Sequence, residues 1–147
     1  MFTKLIERFR TRVLIAPVAT DSNPKQYALP TPGVMGITIR CILNKGNAAA
    51  TALSLKTSTS AAGAGEAAYP ADIPIYVDGV RDVDAKGYTF SSDTGVSYIV
   101  DFCIDPATVP EGAYVGIATG TGNTANLISV EMIEDVAYKP TPTADPA

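Results

Sequence analysis

Two segments of this chain alternate apolar and polar residues with a period of two, and little except a β-strand half-buried in a core has that period. In Val34–Asn44 the odd positions read Met35, Ile37, Ile39, Cys41 and Leu43, while Gly36, Thr38, Arg40 and Asn44 occupy even ones. In Val96–Asp105 the apolar set falls on even positions, Val96, Tyr98, Val100, Phe102 and Ile104, and Ser97, Asp101 and Asp105 take odd ones. Each segment therefore has one face for a core and one for the outside. On this parity Cys41 points inward and Cys103 outward, so a disulfide between them would require opposite faces to meet, and free thiols are expected.

Shorter runs follow the same logic. Strands are expected over Arg12–Ala19, Thr51–Thr57 (with Leu53 and Leu55 together), Ile73–Val77, Gly87–Ser91, Gly112–Thr119 and Asn126–Tyr138. In the last of these Ile128, Val130, Met132, Val136 and Tyr138 share a face that Glu134 interrupts. Asp78-Gly79, between Ile73–Val77 and Val80–Val83, is a two-residue hairpin signal. Glycine-bearing turns at Asp84–Gly87, Asp93–Gly95 and Pro110–Gly112 punctuate the rest. Turns recurring about every ten residues indicate an all-β chain, a single-domain antiparallel β-sandwich or barrel of about eight strands. Its length of 147 residues suits one domain with a real core.

The expected organisation has three parts: an amphipathic basic arm over residues 1–12, a β-sandwich over 13–138, and an extended Pro/Thr-rich tail over 139–147. In the arm Phe2, Leu5, Ile6 and Phe9 form a helical apolar stripe, whereas Arg8, Arg10 and Arg12 alternate as in a strand. A short helix leading into the first strand satisfies both patterns. It either closes the end of the sandwich or docks on a neighbour. Ser58–Ala68, small and glycine-bearing, is expected to be a surface loop.

Charge narrows the partners. The net charge is −4, yet residues 1–12 carry +3 (Lys4, Arg8, Arg10 and Arg12 against Glu7), which leaves −7 on the remainder. An acidic body with a small basic patch repels phosphates, so no nucleic-acid partner is expected. No apolar run approaches the roughly 20 residues of a membrane span, and Pro17 with the early charges argues against a secretory leader. The chain is expected neither to enter nor to cross a membrane. With 46% hydrophobic and only 18% charged residues, apolar surface remains for contacts with other chains.

The chain has no histidine and no tryptophan. Without histidine the usual Ser-His-Asp and Cys-His nucleophile systems cannot be built, and two cysteines cannot complete a four-thiolate zinc site. The expectation is no enzyme, no cofactor and no metal. Asp78, Asp82 and Asp84 cluster around a hairpin, but their spacing matches no calcium loop, and Arg81 and Lys86 dilute their charge. A solvated turn explains them more simply. Asp101 and Asp105 share one strand face without the opposed arrangement glycoside hydrolysis needs. Gly120-Thr-Gly122 lacks the third glycine and the following helix of a phosphate loop. Tyr69, Tyr76, Tyr88 and Tyr114 flank turns or alternate outward, as sheet and rim residues do.

Strands and loops rich in Ala, Gly, Thr and Ser, such as Gly46–Ser60 and Gly112–Asn126, together with low charge and the Pro/Thr tail, give the chain a resemblance to small β-rich virion proteins of tailed bacteriophages. Within that group it is similar in size to capsid decoration (cement) proteins. The resemblance is one of style and carries no motif. It implies a structural protein made in the host cytoplasm and located on the capsid surface. The implied partners are the major capsid protein or another virion protein and further copies of the chain, a trimer being favoured. On that reading the contact residues are Phe2, Leu5, Phe9, Arg8, Arg10 and Arg12, and removal of residues 1–12 should abolish binding while sparing the fold. A neck, tail or fibre component is one alternative. A glycan- or receptor-binding β-sandwich is another.

Overall fold

The computed structural model describes residues 8–90, 94–120 and 122–136. Phe2, Leu5 and the tail 139–147 lie outside these residues. The fold is all-β, with two antiparallel sheets in a sandwich-like arrangement. The strands are β1 (Phe9–Ala19), β2 (Lys25–Ala28), β3 (Gly36–Lys45), β4 (Thr51–Ser58), β5 (Ala67–Ala68), β6 (Ile75–Val77), β7 (Val80–Arg81), β8 (Gly87–Phe90), β9 (Val96–Ile104), β10 (Tyr114–Thr119) and β11 (Asn126–Asp135). One sheet has the order β1-β11-β3-β9-β6-β7. The other runs β2-β10-β4-β5, with β8 paired to the same edge of β4 further along. Most connections cross from one sheet to the other, so most strands pair with neighbours from distant parts of the sequence, β6–β7 and β4–β5 excepted.

The two alternating segments form the centre of the six-stranded sheet. Ile37, Ile39, Cys41 and Leu43 of β3 and Val100, Phe102 and Ile104 of β9 are buried. Ile128, Val130 and Met132 of β11 join them, and Leu53, Leu55, Val115 and Ile117 face them from the second sheet. Met35 and Val96, read as core residues from parity, are exposed because Met35 precedes β3 and Val96 is the first residue of β9. Asp78-Gly79 makes the expected tight turn between Val77 and Val80. Both residues have positive φ (50° and 82°), the type I′ combination that Asp and Gly tolerate best. Cys41 and Cys103 are free thiols on opposite faces, as parity predicts.

Three differences from the sequence reading matter. β2 and β5 are strands of four and two residues, too short to show a period. The first strand begins at Phe9, so residues 9–12 belong to the body, paired in register with Asp135, Glu134, Ile133 and Met132. Glu134 does not interrupt the inner face of β11; it lies fully buried on it.

Candidate functional site

Among the described residues, the outer face of the six-stranded sheet is a continuous surface. Its rows follow from the register. Across the middle run Val13, Glu131, Arg40, Asp101, Tyr76 and Arg81. Arg40 meets Asp101 through two parallel hydrogen bonds, Nε to Oδ1 at 2.8 Å and Nη2 to Oδ2 at 3.0 Å. To one side lie Ser129, Ile42 and Ile99, then Leu127, Asn44 and Ser97. To the other lie Thr11, Ile133, Thr38 and Cys103, then Phe9 and Asp135. Val13 is 67% exposed, Leu127 46%, Ile99 38% and Ile42 37%, so an apolar surface flanks a charge row that is largely self-neutralised. The Thr11 side opens into a groove of about 330 Å³ lined by Phe9, Thr38, Cys103, Asp105, Ile133 and Asp135.

The arginines read as contact residues are bonded within the chain. Arg8 forms an ion pair with Asp135 at 3.0 Å and lies over the Phe9 ring at 5.2 Å. Arg10 donates to Thr31 Oγ1 at 3.2 Å. Arg12 Nη2 lies 2.6 Å from buried Glu134 Oε1 and donates to the Leu29 carbonyl at 2.9 Å. Glu134 Oε2 accepts the Thr31 backbone N–H at 2.7 Å. The basic edge thus fastens β1 to β11 and to the segment after β2. Deleting residues 1–12 would remove four residues of β1 and the cation beside Glu134, so a loss of stability is expected where the arm reading expects the fold to be spared.

The acidic hairpin serves backbone geometry. Asp78 Oδ1 accepts from Ile99 N at 2.9 Å, Asp82 Oδ1 from Val83 N at 2.8 Å, and Asp84 pairs with Arg81 at 2.7 Å. Among the described residues no group of three or more Cys, Asp or Glu side chains is placed to hold a metal ion. Asp105 caps the short turn that follows β9 by accepting from Ala107 N. Burial pushes the thiols of Cys41 and Cys103 up, the reverse of what activates a nucleophile. Tyr69, read among the tyrosines that flank turns or alternate outward, is fully buried with its hydroxyl 2.6 Å from Thr108 Oγ1.

A second feature escaped the sequence reading. Tyr27 stands on the outer face of the second sheet, where Gly116 of β10 is its register partner, yet it is 1% exposed. Loop 59–66 folds back over it. The Ala61 carbonyl accepts the Tyr27 backbone N–H at 3.0 Å, and Glu66 accepts the Tyr27 hydroxyl at 2.7 Å. Lys25 and Lys56 flank the same carboxylate at 3.0 and 3.7 Å. The Tyr27 hydrogen bond, followed by that from Lys25, holds the Glu66 carboxyl below its ordinary value. A lowered folded-state pKa means that the latch contributes its stability above the ordinary glutamate value and loses it as pH falls through the folded value. Hydrogen-exchange protection of the Tyr27 amide should therefore fall between pH 6 and about pH 3 in the wild type. In Glu66→Gln it should start lower and change less over the same range. Equal protection profiles for the two proteins would remove the latch.

No family model, no curated protein and no solved structure matches this chain.

Proposed function

We propose that the chain is a structural protein of a virion, a capsid decoration (cement) protein that binds the outer surface of a phage head and associates with copies of itself, most simply as a trimer. One observation carries the reading: the outer face of the six-stranded sheet exposes Val13, Ile42, Ile99 and Leu127 around a central arginine, Arg40, that is already paired with Asp101. Such a face suits broad contact, because covering a satisfied ion pair strands no lone charge. Four strands about 4.8 Å apart and roughly 30 Å long, with the short β6 and β7 beside them, give about 600 Å², somewhat under the ~800 Å² per partner of a standard interface. The pairing of Arg8, Arg10 and Arg12 within the chain moves the proposed contact from the N-terminal arm to this face. Low charge and the virion-like composition support the same assignment.

The double variant Ile42→Asp/Ile99→Asp tests it. Both side chains point outward but are register partners, so the two aspartates repel across the strands and stability should fall by about 2–3 kcal/mol. Co-sedimentation with shells of the cognate major capsid protein should weaken about tenfold or more. A folded variant that pellets with shells as the wild type does would refute the sheet face as the contact.

A further inference from the structure

β3 and β9 are the central strands of the six-stranded sheet, with two strands on either side of them. Their outward residues stand in rows across the pair: Arg40 beside Asp101, Ile42 beside Ile99, and Asn44 beside Ser97. Half a turn of a second copy about the line between these two strands, face to face with the first, exchanges the members of every row. Arg40 then lies over Asp101 of the second copy, and Asp101 over its Arg40. Ile42 lies over Ile99 and Ile99 over Ile42, each of them exposed in the single chain. Asn44 and Ser97, which both donate and accept, also exchange places. In the same arrangement Glu131 of β11 comes over Tyr76 of β6, whose hydroxyl can donate to it. A two-fold axis across the strands does the opposite. It brings Arg40 to Arg40 and Asp101 to Asp101, or seats both charges on Ile42 and Ile99. Stacked sheets are turned by about 30° through their own twist, which displaces the outer rows most and the rows beside the axis least. The face is therefore complementary to itself in one orientation, in charge and in apolar contact, where the match is least disturbed.

We propose that in the free protein this face is covered by a second copy of the same chain, in a two-fold, face-to-face pair whose axis runs between β3 and β9. The inference rests on the reading of this face as a contact surface and names its occupant away from a shell. The stacked ion pairs form a square of alternating charge, so every charge meets an opposite one both within its chain and across the interface. An area of about 600 Å² per copy, or about 1,200 Å² in all, is at the lower edge of specific interfaces, so the pair dissociates in the micromolar range. A pair of that strength can yield the face to a shell, and the trimer of the virion reading forms only after it has opened.

Sedimentation equilibrium of the full chain over a concentration series is the test, with circular dichroism to check that each variant is folded. The wild-type mass should rise from one chain to two. Arg40→Glu sets like charges against Asp101 of the second copy, and Asp101→Arg sets them against its Arg40. Each variant alone should raise the dissociation constant by about tenfold or more. Mixed in equal amounts the two should pair again, because every contact across the axis then joins a positive to a negative side chain. Ile42→Lys and Ile99→Glu repeat the test without altering the ion pair: each alone should be monomeric, and the mixture should dimerise. A wild-type chain that stays monomeric, a trimer in solution, or a dimer whose variants mixing does not rescue would each overturn the inference. These outcomes leave the shell contact untouched, since co-sedimentation with shells measures that contact separately.

Discussion

Arg12→Ala is expected to lower the unfolding free energy by about 3 kcal/mol, toward the smaller end of what breaking a buried ion pair costs because the arginine keeps some contact with water. Glu134 has no such contact. It is fully buried on the inner face of β11, with Arg12 2.6 Å from one oxygen and the Thr31 amide 2.7 Å from the other. Without the guanidinium, its carboxylate keeps one neutral donor, which weakens the junction where β1, β11 and the segment after β2 meet. Replacing both partners by neutral residues of similar volume, Arg12→Met/Glu134→Gln, should recover part of the loss, since the glutamine carries no charge and keeps an acceptor for the Thr31 amide. Chemical denaturation followed by circular dichroism measures all three proteins. A single variant within about 0.5 kcal/mol of wild type, the usual range for a surface change, would show that the pair does not hold the edge.

Gly116→Val is expected to be nearly as damaging, at about 3 kcal/mol, the upper part of the usual range for overpacking. A Cβ at this position would lie 2.4 Å from the Gln26 carbonyl oxygen and 2.7 Å from Tyr27 Cδ1. The first clash is with the backbone of the adjacent strand β2, which cannot yield without separating from β10. The second lifts the Tyr27 ring from the sheet and with it the hydroxyl that holds Glu66. Two signatures should appear together: a lower midpoint of unfolding, and loss of exchange protection at the Tyr27 amide beyond what the global change explains. Lost stability with the Tyr27 amide still protected would mean that the glycine serves the strand pair alone.

The fold was legible where burial imposes a strict period. Ile37 to Leu43 and Val100 to Ile104 could be placed on the core face from parity, and with them the separation of the two cysteines. Asp78-Gly79 was legible because a two-residue turn with two positive φ angles admits few residue types. Legibility failed where the partner lies far away in the chain. Glu134 sits at an inward parity, but its charge reads as an interruption unless one knows that Arg12 stands beside it in space. The alternation of Arg8, Arg10 and Arg12 was the available signal: it is strand-like and continues directly into Val13–Ala19, whereas the helical stripe from Phe2 competed with it. Tyr27 belongs to a strand of four residues and is buried by a loop rather than by the core, so no local pattern marks it. The proposed contact face follows from strand parity only after the strand order is known, because the residues of each row come from widely separated segments.

Electron cryomicroscopy of cognate phage heads mixed with an excess of the purified chain tests the central claim most directly. The account predicts ordered density at repeating positions on the outer shell, fitted by the sandwich with Ile42, Ile99 and Leu127 turned toward capsid protein or a sister subunit. Bare shells at saturating concentration, or bound copies whose six-stranded sheet faces open solvent, would contradict it.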